Sequence, residues 1–207
     1  MGAVASTAFA GVIAARQGLA APIGSLTQMA HIRLGERSEG RNPLIREFVP
    51  LADLGDLVFG GWDRSRPTPS KPRTAGVLDG DDLAPLSGEL EGVVAMDAVF
   101  DRRWVKRLDG VRVKQGATKW DLVEQLIADI ERFRTEHGCE RLVMIWCGST
   151  EAYQEPAAVH DSIEAFEQGL RDDDENIAPS QMYAHARPSA RGCRSATVHR
   201  TWPSTSP

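Results

Sequence analysis

Thr118–Cys147, TKWDLVEQLIADIERFRTEHGCERLVMIWC, decides the fold class of this chain. Leu122, Val123, Leu126, Ile127, Ile130 and Phe133 recur at helical spacing, which predicts a helix over Thr118–His137 with one apolar face. Gly138 comes next as its stop, because glycine tolerates the left-handed conformation that ends helices. Arg141–Cys147 is then a nearly continuous apolar run, the pattern of a strand buried on both faces of a parallel sheet. Helix followed by buried strand is half of a βαβ crossover, so the chain is read as α/β.

Working outward, Leu57–Phe59 reads as a second short buried strand closed by Gly60 and Gly61, with Asp63 just past its end. Ser6 is a candidate N-cap for a helix running to about Gln17, with Gly18 as its stop. A further helix is expected over about Asp161–Leu170, then an acidic turn at Asp172–Glu175 and a helix beginning near Pro179. Met1–Ser6, MGAVAS, looks like the second half of a glycine-rich phosphate loop. Such loops bring backbone N–H groups to a pyrophosphate at a helix N-terminus, and Gly2, Ala3 and Ala5 are small enough to allow it. A dinucleotide fold places a strand directly before that loop, and this chain starts inside it. The expectation is a doubly wound sheet without its central first strand, leaving both neighbours short of hydrogen-bond partners and apolar faces uncovered.

With 42% hydrophobic residues, the 207-residue chain can bury one substantial core, or one domain and part of another. A net charge of -5 with both signs interspersed gives no basic stripe, which argues against nucleic acid as a partner. No stretch approaches the roughly twenty apolar residues of a membrane span, so no membrane partner is expected. Ala3–Ala15 is apolar but lacks the basic n-region of a signal peptide. Cys139, Cys147 and Cys193 have neither disulfide nor metal spacing, and a reducing cytoplasm is the simplest setting. His31, His137 and His160 likewise have no ligand spacing, so no metal is expected.

Four further runs are more distinctive than the loop: GSLTQMAHIRLG at Gly24–Gly35, DLVFGGWD at Asp56–Asp63, WCGSTE at Trp146–Glu151 and IAPSQMYA at Ile177–Ala184. With their order and spacing, the chain resembles the inositol-3-phosphate synthases over most of Gly2–Ala186. The resemblance implies an incomplete Rossmann-like NAD-binding domain lacking its first strand, over residues 1–186, in a family that converts D-glucose 6-phosphate to inositol phosphate. It also implies a cytoplasmic homotetramer, much of whose interface lies in parts that this chain lacks. In that family NAD oxidises the sugar phosphate, the ketone acidifies a neighbouring C–H, an aldol step closes the ring, and the NADH reduces the product.

Carried over residue by residue, the resemblance gives Gly2, Ala3, Val4 and Ala5 to the pyrophosphate loop and Asp63 to the adenosine ribose. It gives Cys147, Gly148, Ser149 and Thr150 to a segment lining the NAD site. Without the family, MGAVAS is a helix start, Asp63 a turn residue or cap, Cys147 a buried structural thiol and Ser149 a helix cap. Asp63 lies farther from the loop than the usual roughly twenty residues, so a long insertion containing GSLTQ intervenes. Arg33 is chemically able to hold phosphate but reads equally as a surface arginine. Lys106, Lys114 and Lys119 read as solvated.

Two stretches break the pattern. Residues 64–73, RSRPTPSKPR, and 187–207, RPSARGCRSATVHRTWPSTSP, are rich in Arg, Pro, Ser and Thr and show neither helix nor strand periodicity. By composition they are a flexible loop and a disordered tail. A sharper reading is translation out of frame: codons exist for Gly192–Pro207 whose third-base frame spells LPFGNGAPNLAVDVP, similar to the stretch after IAPSQMYA in the synthases. The family's phosphate-binding and proton-transferring lysines and aspartates come after that region, so no catalytic group is carried over. The chain is therefore expected to be an N-terminal fragment without turnover. The alternatives are a stand-alone NAD-dependent oxidoreductase, or a non-catalytic remnant that associates with an intact synthase.

Overall fold

The computed structural model describes residues 2–64, 76–148, 150–189 and 193–196. Ser149, all of 65–73 and most of the 187–207 stretch fall outside them. The chain divides into a helical unit, residues 3–59 and 67–93, and a sheet unit, residues 1–2, 60–66 and 94–207.

In the helical unit, α1 (Ala3–Arg16) starts three residues before Ser6, which sits buried inside its first turns rather than at its N-cap. Alanine at positions 3 and 5 has the highest helix propensity, so nothing delays helix formation to residue 6. Gly18, at φ 69°, ends it as expected, with the Leu19 N–H donating back to the Ala14 carbonyl at 2.9 Å. Two single-turn helices come next, α2 (Leu26–Met29) and α3 (Ile45–Phe48). Between them an irregular hairpin pairs His31 with Leu44 and turns through Gly35 and Gly40, both left-handed. Neither α2 nor α3 buries a residue, so the GSLTQMAHIRLG run contributes little to a core. The core of this unit is instead Ala10 and Ile13 of α1 against Leu83, Leu86 and Leu90, carried by α4 (Gly80–Leu83), the turn after it and α5 (Ser87–Glu91).

The strand expected at Leu57–Phe59 does not form there; β1 is Gly60–Trp62. Side chains claim the earlier residues: the Arg16 guanidinium donates to the Leu54 and Leu57 carbonyls, and Phe59 stacks on Phe9 at 4.6 Å. In the sheet unit, the Phe133 ring lies so close to Gly60 that a methyl group there would sit 2.5 Å from it. Only glycine lets the strand pass at that point.

The sheet unit is built on α6 (Lys119–Glu136). Thr118 caps it by accepting from the Asp121 N–H, while the Asp121 carboxylate accepts from the Thr118 N–H at 3.0 Å, a reciprocal box. Gly138, at φ 61°, lies just past its end. Val123 and Leu126 of α6 pack with Val159, Leu170, Ile177 and Met182, drawn from the segment around α7 (Ile163–Arg171) and α8 (Pro179–Ser189).

Strands pair in two separate parallel ladders. β1 runs beside β2 (Val94–Met96), and β3 (Leu142–Ile145) beside β4 (Cys193–Ala196). No ladder joins the two pairs among the described residues. The two-sided burial read from Arg141–Cys147 is accordingly wrong for half of β3. Val143 and Ile145 are exposed, at 65% and 53%, while Met144 packs on the core. Both α8, which continues to Ser189, and β4 reach into the stretch read as an off-pattern tail.

Candidate functional site

In α/β sheets ligands bind beyond the C-terminal ends of parallel strands. Two such ends lie in the sheet unit. At the first, Asp63 directly follows β1, its N–H prolonging the ladder by donating to the Met96 carbonyl at 2.9 Å. It is 4% exposed, so its carboxylate is a built-in part of the strand end rather than a loose turn residue. At the second, Trp146, Cys147, Gly148 and Thr150 follow β3. A methyl group on Gly148 would meet the Trp146 indole at 2.5 Å, so glycine is needed for the chain to fold back over its own tryptophan. Cys147 is half-buried, and burial pushes its thiol up, the opposite of what a nucleophile needs. Ser149 lies outside the described residues.

The loop after β3 is tied down by Glu151. Its carboxylate accepts from the Ser180 N–H at 3.0 Å and from the Ser180 hydroxyl, at the first turn of α8. An acid there complements the positive helix end. Burial pushes the Glu151 carboxyl up, and the two bonds from Ser180 pull it part of the way back. Farther along, Arg103, Trp104, Tyr153 and Asn176 line part of an open cleft of about 280 Å³, below the roughly 300–1,000 Å³ of pockets that enclose a whole ligand.

An aromatic chain links the two strand ends. Tyr183 of α8 lies edge-on to Trp62 at 5.1 Å and tilted against Trp146 at 5.3 Å. Its hydroxyl accepts from the Val99 N–H at 2.8 Å, and burial pushes its pKa up.

Gly2 also belongs to the sheet unit, and among the described residues a methyl group added there would meet only the Cys147 carbonyl oxygen, at 4.0 Å. Gly148 therefore has a packing reason to be glycine, whereas Gly2 has none among the described residues. In the helical unit, α1 begins with Ala3 and exposed Val4, has no acidic residue in its first turn, and runs for 14 residues. The first N–H groups of any helix lack intrahelical acceptors and carry its positive end. A small, acid-free opening of this kind fits a dinucleotide pyrophosphate.

Two of the three lysines read as solvated are not. The Lys114 Nζ lies 2.8 Å from the Asp129 carboxylate, and buried Lys119 donates to the carbonyls of Asp173 and Asp174 at 3.1 and 2.8 Å. Each has acceptors enough to offset its desolvation, which sequence distance hides. Lys106, His31 and Arg33 are exposed. Among the described residues no three His, Cys, Asp or Glu side chains gather as a metal site. No helix among them is long and apolar enough to cross a membrane. Asp129 is the residue the sequence reading missed. It sits between Leu126 and Ile130 on the apolar stripe of α6, and a charge on a buried stripe is the signal that betrays it.

Residues 1–193 match a family model described as NAD-binding, myo-inositol-1-phosphate synthase. Inositol-3-phosphate synthase 1 of Bacteroides thetaiotaomicron is 44% identical over 187 residues, covering 89% of this chain and 43% of the relative. The inositol-3-phosphate synthase of Trypanosoma brucei brucei is 33% identical, over 79% of this chain and 32% of its own length. The crystal structure of inositol-3-phosphate synthase from Caenorhabditis elegans superposes with a TM-score of 0.83 at 23% identity, over 94% of this chain and 41% of that one, which establishes a shared fold. The chain thus spans less than half the length of these relatives. On the family match over residues 1–193, the chain belongs to the myo-inositol-1-phosphate synthase family, whose matched domain is NAD-binding.

Proposed function

We propose that this chain is the nucleotide-holding part of an inositol-3-phosphate synthase, the enzyme that turns D-glucose 6-phosphate into 1D-myo-inositol 3-phosphate. The observation that carries it is the family match over residues 1–193, on a chain whose Asp63 and whose Cys147, Gly148 and Thr150 follow the C-terminal ends of parallel strands. When bound, NAD supplies reversible hydride acceptance, so the sugar phosphate is oxidised for ring closure and reduced afterwards without net redox change.

The chain's own residues bind and orient. Backbone N–H groups at Gly2, Ala3, Val4 and Ala5 take the pyrophosphate, where the absence of side-chain bulk and of nearby acid lowers the cost of approach. The Asp63 carboxylate accepts from the adenosine ribose hydroxyls. Cys147, Gly148, Ser149 and Thr150 line the site after β3, with Glu151 holding that loop to α8. Cys147 contributes surface and no nucleophile, because its raised pKa keeps the thiol protonated near neutral pH.

Substrate binding, proton transfer and homotetramer assembly belong to the whole synthase, and we assign them to residues outside the matched 43% of the bacterial relative. Calorimetric titration of the purified chain with NAD tests the first half; saturable binding is expected, and its absence refutes the assignment. Incubation with glucose 6-phosphate and NAD tests the second, where inositol phosphate formed by the chain alone refutes it.

A further inference from the structure

Asp129 concentrates more donors than any simple helix residue needs. It is 3% exposed on α6; its Oδ2 accepts from the Trp62 indole N–H at 2.8 Å and lies 2.8 Å from the Lys114 Nζ, while its Oδ1 accepts from Arg132 at 2.6 Å. Lys114 and Arg132 hold the carboxylate in place, and the carboxylate in turn holds Trp62. Tyr183 presses on the indole from another side at 5.1 Å.

Trp62 is the last residue of β1, and Asp63 continues its ladder through the bond to Met96. Successive side chains along a strand point to opposite faces. An indole fixed on the α6 side therefore fixes the opposite sense for the next side chain, Asp63. Rotation of the backbone at this strand end would have to break the Trp62–Asp129 bond or pull the indole off Tyr183.

We infer that Asp129, acting through Trp62, is a positioning residue that aims the Asp63 carboxylate at the adenosine ribose; this rests on the proposed NAD-binding role. It makes the ribose diol, rather than the pyrophosphate, the part of the cofactor whose recognition depends on Asp129. Lys114 and Arg132 serve to hold the carboxylate in place, and neither is assigned to the cofactor.

The test compares the affinity of the full chain for NAD with that for its analogue lacking the adenosine 2′-hydroxyl. A hydrogen bond to a charged acceptor gives the wild type about a tenfold preference for NAD. Trp62→Phe keeps a ring against Tyr183 but removes the indole donor, and Asp129→Asn keeps the shape but removes the charge. Each is expected to shrink the preference to about twofold or less, and Asp63→Asn to abolish it. A merely structural role would weaken both ligands alike and leave the ratio intact, so an unchanged ratio in a folded Trp62→Phe variant overturns the inference, whether or not Asp129→Asn folds. Equal binding of both ligands by the wild type also overturns it. No binding of NAD by the wild type overturns the functional reading beneath it, which distinguishes the two failures.

Discussion

Replacing Tyr183 with phenylalanine removes one hydroxyl, which bonds both backbone groups of Val99. The ring stays between Trp62 and Trp146, at 5.1 and 5.3 Å, so apolar packing is nearly conserved. The loss is the hydroxyl that accepts from the Val99 N–H at 2.8 Å and donates, more weakly, to the Val99 carbonyl at 3.4 Å. Val99 and Tyr183 are 6% and 5% exposed, so no solvent stands ready to replace it. A buried N–H left without a partner costs about 1–3 kcal/mol. For a chain of this size that lowers Tm by about 2–12 °C, at roughly 2–4 °C per kcal/mol. Tyr183→Leu additionally removes two aromatic pairs, each about 0.5–1.5 kcal/mol, and should fall a further 1–3 kcal/mol or so below the phenylalanine variant. Urea unfolding followed by tryptophan fluorescence measures both, and near-UV circular dichroism reports whether Trp62 and Trp146 keep their packing. A phenylalanine variant within about 0.5 kcal/mol of wild type would refute the reasoning, by showing that the Val99 N–H finds another acceptor.

Leu126→Ala, at a fully buried position in the middle of α6, should cost about 2–5 kcal/mol in the same assay, with the spread set by how far the core collapses. Burial raises the Glu151 carboxyl above its unfolded value, so the folded state binds its proton more tightly, and wild-type stability falls as pH rises from about 4 through that raised value. Glu151→Gln should lose this fall, so its stability relative to wild type improves with rising pH over that window; a constant difference in urea midpoints would contradict it. Alkylation of Cys147, read out by peptide mass spectrometry, should show a pH midpoint above that of an ordinary thiol, as burial demands. A midpoint near or below 7 would contradict that.

The longer helices, α1, α6, α7 and α8, were legible from the chain because their determinants are local. Thr118 and Asp121, three residues apart, start α6, an apolar stripe of period 3.6 runs through it, and Gly138 ends it. Gly18 after α1 and Pro179 opening α8 were readable in the same way. The family itself was legible because its runs, WCGSTE and IAPSQMYA among them, are long and idiosyncratic.

The features that required the tertiary structure depend on partners distant in sequence. The first strand formed at Gly60–Trp62 and not at Leu57–Phe59 because Arg16 and Phe9 engage the earlier residues and Phe133 demands glycine at 60. Apolar Val143 and Ile145 lie exposed because burial of a strand face is a property of its neighbours, not of its composition. Lys114 is half-buried and Lys119 buried because carboxylates and carbonyls come to them from as far as 55 residues away. Local sequence states which way a side chain leans along its own element; only folding brings the charge, ring or carbonyl that makes its burial favourable.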